Sequence, residues 1–161
     1  MLAVVLILFG TACSSTSTAP RAAVATTAST AKPVGTTNAV RAANCSTPTR
    51  FGTDRARNEI HGTSANGQLW GLALGPGRVP PRAGDELKIV WRMTGTGPLH
   101  VVFTAPDGSH QPLVFGPEAH ARSSYHRPGD EWGTGFRFAV SGCWHIHLTR
   151  DNTSGDVWLD V

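Results

Sequence analysis

The sequence predicts an all-β body, an antiparallel β-sandwich of about seven to eight short strands, preceded by a signal segment and a disordered linker. Three observations carry this. Apolar residues alternate with polar ones at period two, turn signals separate the alternating runs, and residues 44–161 contain no amphipathic helix of usual length. Leu87, Ile89, Trp91 and Met93 alternate with Lys88, Val90 and Arg92. Leu99, Val101 and Phe103 alternate with His100, Val102 and Thr104. Trp132, Thr134, Phe136, Phe138 and Val140 share one parity, and Trp144, Ile146 and Leu148 oppose His145, His147 and Thr149. Such alternation places one face in a core and the other toward water. The turns fall at Gly75-Pro76-Gly77, Gly95–Pro98, Ala105–Gly108, Arg127–Asp130 and Asp151–Gly155. Proline early in a turn and Gly, Asn or Asp later are what tight reversals require.

Ahead of the body, residues 1–13 open with the apolar run Leu2–Phe9, too short to span a bilayer and of the length of a secretory signal core. Residues 14–43 hold 11 Ser or Thr and 9 Ala, with Pro20 and Pro33 and no aromatic residue. Such a stretch buries too little apolar surface to offset its ordering entropy, and as a flexible coil it reaches about 30 Å. It reads as a tether.

Gly10-Thr11-Ala12-Cys13 resembles the lipobox of bacterial lipoproteins. That resemblance implies cleavage before Cys13 and lipid on its sulfur and amine. The protein is then expected at the cell envelope, on the outer face of the cytoplasmic membrane, its membrane contact being the lipid anchor. With Cys13 lipidated, only Cys45 and Cys143 of the three cysteines remain, and an exported protein is expected to join them in a disulfide. Gly142-Cys143-Trp144 at a late strand is similar to small exported immunoglobulin-like domains. Lys88–Arg92 and Pro128–Gly133 resemble an uncharacterised bacterial family. No function comes with either resemblance.

Composition restricts the function classes. The pI of about 9.1 suggests a nucleic-acid binder at first sight. Of the 14 basic residues, however, Arg21, Lys32 and Arg41 precede residue 44, leaving 11 against 11 acids in the body. A neutral body lacks the clustered Lys/Arg that a nucleic-acid face needs. The chain has no G-x-S-x-G elbow, no H-E-x-x-H and no phosphate loop of the G-x-x-x-x-G-K type.

Cys143-Trp144-His145-Ile146-His147 is the sharpest chemical constellation. On a strand, Cys143, His145 and His147 point to the same side, about 6.6 Å apart in succession. Two imidazoles on one face begin a zinc or copper site, and His100 has the matching outward parity. The alternative is two histidines on a solvated sheet face. A blue-copper arrangement needs a methionine after the cysteine, and none follows Cys143. His110, His120 and His126 fall with Glu118, Tyr125, Asp130 and Glu131 in a polar connection that offers a ligand rim. Asp130 and Glu131 are adjacent and so make a poor catalytic pair, and ion pairs to Arg127 or Arg137 are the expected use of them. Trp70 shares parity with Leu72 and Leu74, and it is expected in the core with Trp91, Trp132 and Trp144. Trp158 alone alternates out of phase with its apolar neighbours.

The resulting expectation is a monomeric, lipid-anchored, non-catalytic binding or interaction module. Its partner is a protein or small molecule, it takes no nucleic acid, and it needs no cofactor. The rivals are a zinc- or copper-binding surface protein using His145, His147 and His100, and an envelope hydrolase.

Overall fold

The structure, a computed structural model, describes residues 45–52, 58–75, 79–121 and 123–161. The signal segment, Cys13, the tether and the Pro76-Gly77 turn lie outside the described residues. Nine strands follow in chain order: β1 Glu59–Ala65, β2 Leu69–Leu74, β3 Glu86–Met93, β4 His100–Thr104, β5 His110–Gln111, β6 Phe115–His120, β7 Asp130–Arg137, β8 Cys143–Arg150 and β9 Thr153–Asp160. All pairings are antiparallel, and the hydrogen-bonded order is β5-β4-β8-β9-β1-β2-β3-β7-β6.

The all-β architecture expected from the alternation is thus formed, as one curled sheet. β1 makes the join. Its first half, Glu59–Gly62, pairs with β2, and Thr63–Ala65 pair with Asp156–Ser154 of β9. The two halves of the sheet face each other across a single core. Phe103 of β4 stacks on Phe136 of β7 at 3.7 Å, and Phe138 and Trp144 meet Phe136 edge-on at 5.0 and 5.3 Å. Each such ring removes a large apolar area from water, about 1.5–3 kcal/mol apiece on transfer scales. The buried indoles keep their polar ends satisfied: Trp91 Nε1 donates to Thr134 Oγ1 at 2.9 Å, and Trp144 Nε1 donates to Val140 O at 2.9 Å.

β2 departs from the expected parity. Leu69, Gly71 and Ala73 face the core, so Trp70 lies on the outer face, stacked on His61 at 3.9 Å and under the Arg127 guanidinium at 4.6 Å. The reason is steric. A Cβ at Gly71 would sit 2.8 Å from the ring of Trp91, so the small-residue face of β2 is the one that receives the large indole of β3. Two ion pairs also differ from expectation. Glu131 faces outward in register with Arg92 and pairs with it at 3.2 Å. Asp130 points the other way and takes Arg150 at 2.7 Å. Arg127 and Arg137 instead pair with Glu59 and Glu86.

The last hairpin is tighter than its turn signal suggests. Arg150 pairs with Thr153, leaving only Asp151-Asn152 as the turn, and Thr153–Gly155 belong to β9. Gly155 is held inward because the Leu69 side chain fills the space where its Cβ would stand.

Cys45 and Cys143 form a disulfide, with a Cα–Cα distance of 5.6 Å and 98 residues of separation. Closing a loop of that length is worth about 4.7 kcal/mol in the chain-entropy treatment. The cross-link also docks the segment after Cys45 beside β9: Thr49 N donates to Trp158 O at 2.8 Å, and Trp158 N donates to Thr49 Oγ1 at 3.0 Å.

The close approach of Gly71 to Trp91 sets a test of β2 parity. Gly71→Ala must push the indole aside and is expected to cost about 1–3 kcal/mol, read as a lower urea midpoint. An unchanged midpoint would mean that β2 presents its other face to the core.

Candidate metal centre

β8 carries its apolar residues inward at Trp144, Ile146 and Leu148, all fully buried, which commits His145 and His147 to the outer face. β9 runs back beside it after the two-residue turn. That register sets Asp156 opposite His147 and Trp158 opposite His145. Directly opposed residues of an antiparallel pair share a face with their Cβ atoms about 5 Å apart, so four functional side chains meet in one patch.

Asp156 Oδ1 accepts from both imidazoles, from His145 Nε2 at 2.7 Å and from His147 Nδ1 at 2.7 Å. The three donor atoms lie within 4.8 Å of one another, an arrangement able to hold a metal ion. Bonds of about 2.0–2.1 Å to a tetrahedral ion would place donors roughly 3.4 Å apart, so each imidazole nitrogen must move out from its 2.7 Å contact with Asp156 Oδ1 as an ion enters. His147 and Asp156 are 39% and 36% exposed, which leaves the patch open to an ion arriving from solvent. Trp158 lies flat on His145, ring centroids 3.9 Å apart and planes 8° apart, and this holds the imidazole in one orientation. For the Asp156 carboxyl, burial favours the neutral form, but the hydrogen bonds from His147 and His145 and their charge outweigh it and hold the carboxyl below its ordinary range.

The sequence-derived candidates fall as follows. His145 and His147 are together. His100 lies on β4 opposite Thr149, diagonal to His147, and it is not part of the cluster. The third donor comes from β9 as Asp156, a residue the sequence reading did not select. Its signal was present in the alternation of Ser154, Asp156, Trp158 and Asp160 against Gly155, Val157 and Leu159. Reading the turn as far as Gly155 concealed it. Cys143 shares the outward parity of the histidines, but its sulfur is bonded to Cys45. Trp158 takes the outward position that its parity suggested.

The residues considered as a ligand rim do not converge. His110 is on β5 opposite Thr104, which in turn opposes His145, so two strand spacings of roughly 10 Å separate the two histidines. Tyr125 folds back toward the sheet, where burial and then the charge of Glu59 raise its phenol pKa well above the ordinary value. Glu131 is buried beneath Ser123, whose hydroxyl donates to it, and beside Arg92. His120 and Asp130 line an open cleft of about 470 Å³ with Trp132 in its wall, next to Arg150. Each nitrogen of the Arg150 guanidinium has a partner there, Gly97 O at 2.9 Å, Met93 O at 2.8 Å and Asp130 Oδ2 at 2.7 Å.

No protein-family model, curated protein or solved structure matches the chain.

The lowered Asp156 pKa has a stability consequence. A carboxyl depressed in the folded state adds stability above its unfolded value of about 4, and that contribution is lost as pH falls through the lower folded value. Asp156→Asn is therefore expected to flatten the loss of stability below about pH 4, read from urea midpoints against pH. Identical acid profiles for parent and variant would show that the two imidazoles do not hold the carboxylate.

Proposed function

We propose that this protein is a non-catalytic binding module of the cell envelope whose outer β8–β9 face captures a divalent transition-metal cation. The observation that carries the reading is the convergence on an accessible face of His145, His147 and Asp156, each with a ligand atom within 4.8 Å of the others. Imidazole nitrogen and carboxylate oxygen are the donor set that zinc and divalent copper take in proteins. Backbone pairing along β8 and β9 and the Trp158 stack hold the donors in place before any ion arrives, so little ordering entropy opposes capture. The non-catalytic reading rests on shape. The donors stand on an open sheet face, and among the described residues neither the cleft walled by Trp132 nor the one walled by Phe51 and Leu159 includes them.

Metal titration tests the site. The parent is expected to bind zinc or divalent copper at one equivalent, and a His145→Ala, His147→Ala double variant is expected to lose it. Equal binding by parent and double variant, with both showing the same β-sheet circular dichroism, would end the metal reading.

The cellular part of the proposal is a lipid anchor at Cys13 with the body held off the membrane by residues 14–43. Its support is the lipobox-like Gly10-Thr11-Ala12-Cys13 and the disulfide that uses the other two cysteines. The mature protein extracted from membranes is expected to show a diacyl or triacyl addition on Cys13 and a mass lower by the two hydrogens lost in the Cys45–Cys143 bond. An unprocessed chain in the cytosol with titratable thiols would overturn it.

A further inference from the structure

Resting on the metal reading above, we infer that the ion selected by this face is divalent copper, held by His145, His147 and Asp156 with the remaining positions open to solvent. The donor set excludes the soft end of the series. It contains no sulfur, because Cys143 is bonded to Cys45 and Met93 is fully buried in the core. Monovalent copper prefers thiolate or thioether ligands and finds none here.

Among divalent ions the choice follows from the affinity order that nitrogen and oxygen donors impose. A structural zinc site closes four protein ligands around the ion, whereas two imidazoles, one carboxylate and an open position suit both zinc and divalent copper, so the affinity order decides between them. Here only three protein donors converge among the described residues, all from one sheet face, and His100 stands outside them. Two come from one strand at alternate positions and the third from the strand beside it, so they approach an ion from one side. The opposite side is left to water. Nitrogen and oxygen donors beside a position open to solvent suit divalent copper, which stands at the top of the affinity order for such ligands.

The protons balance simply. Each imidazole now donates an N–H to Asp156 Oδ1, and the same nitrogen must offer its lone pair to the ion. On binding, that proton leaves to solvent or is replaced by one on the other ring nitrogen. The carboxylate exchanges two accepted hydrogen bonds for one bond to the ion. No electron is transferred. Trp158, stacked on His145, places an indole within a few ångströms of the ion and makes it a built-in reporter, since paramagnetic copper quenches a nearby indole and zinc does not.

The experiment uses the full chain, titrated with cupric and zinc salts in parallel. The expected results are one tight copper equivalent, an axial electron paramagnetic resonance spectrum with splitting from two nitrogens, and copper binding more than about tenfold tighter than zinc. Copper is expected to quench the emission of the parent, and Trp158→Phe is expected to lose most of that quenching while keeping the spectrum. Zinc binding as tight as copper, or a copper spectrum with one nitrogen or more than two, would overturn the copper assignment and leave the metal site standing. Binding of neither ion would overturn both.

Discussion

Burial of one row of β8 is the constraint on which the rest depends. Trp144, Ile146 and Leu148 are sealed against the facing half of the sheet, with Trp144 edge-on to Phe136 and Phe138. A strand has only two faces, so sealing that row leaves the alternate residues no choice but the outside. A slip of one residue would bury two histidines and expose the tryptophan. The aromatic cluster that closes the curled sheet is therefore also what presents the candidate metal donors to solvent.

A second constraint acts across the strands. With only Asp151 and Asn152 in the turn, β9 has a single register against β8, and that register brings Asp156 and Trp158 to His147 and His145. The disulfide and Thr49 then brace the far side of β9, where β1 no longer pairs. The site is built from short-range elements, one hairpin and one docked segment, but the long-range core fixes its orientation.

The charged residues outside the site serve mainly to hold elements together. The Arg150 side chain, only 3% exposed, ties the β3 end, the Gly97 loop and Asp130, and it lies over Trp132 at 4.4 Å. A buried guanidinium is tolerable only when its donors are met, and here each nitrogen has a partner. Arg92 holds the 123–129 segment through Tyr125 O and Gly129 O.

Alternation in β3, β4, β7 and β8 was legible because each strand carries its bulkiest apolar residues on one parity, with Val90 and Val102 the exceptions on β3 and β4. That much, with the all-β class, the sequence determined by itself, whereas the expected pairing of Cys45 with Cys143 followed from the lipobox resemblance that sets Cys13 apart. β2 was misread because both its parities are partly apolar, and only the bulk of Trp91, directly opposite on β3, chooses the face of Gly71. The Asp156 donor was hidden for a related reason. Asp151–Gly155 is all turn-favouring in composition, and the burial of Thr153 and Gly155 against the core pulls them into the strand. Period-two pattern reports which residues of one strand share a face. Which residues of different strands share a site depends on register and packing volume, and those exist only once the sheet has closed.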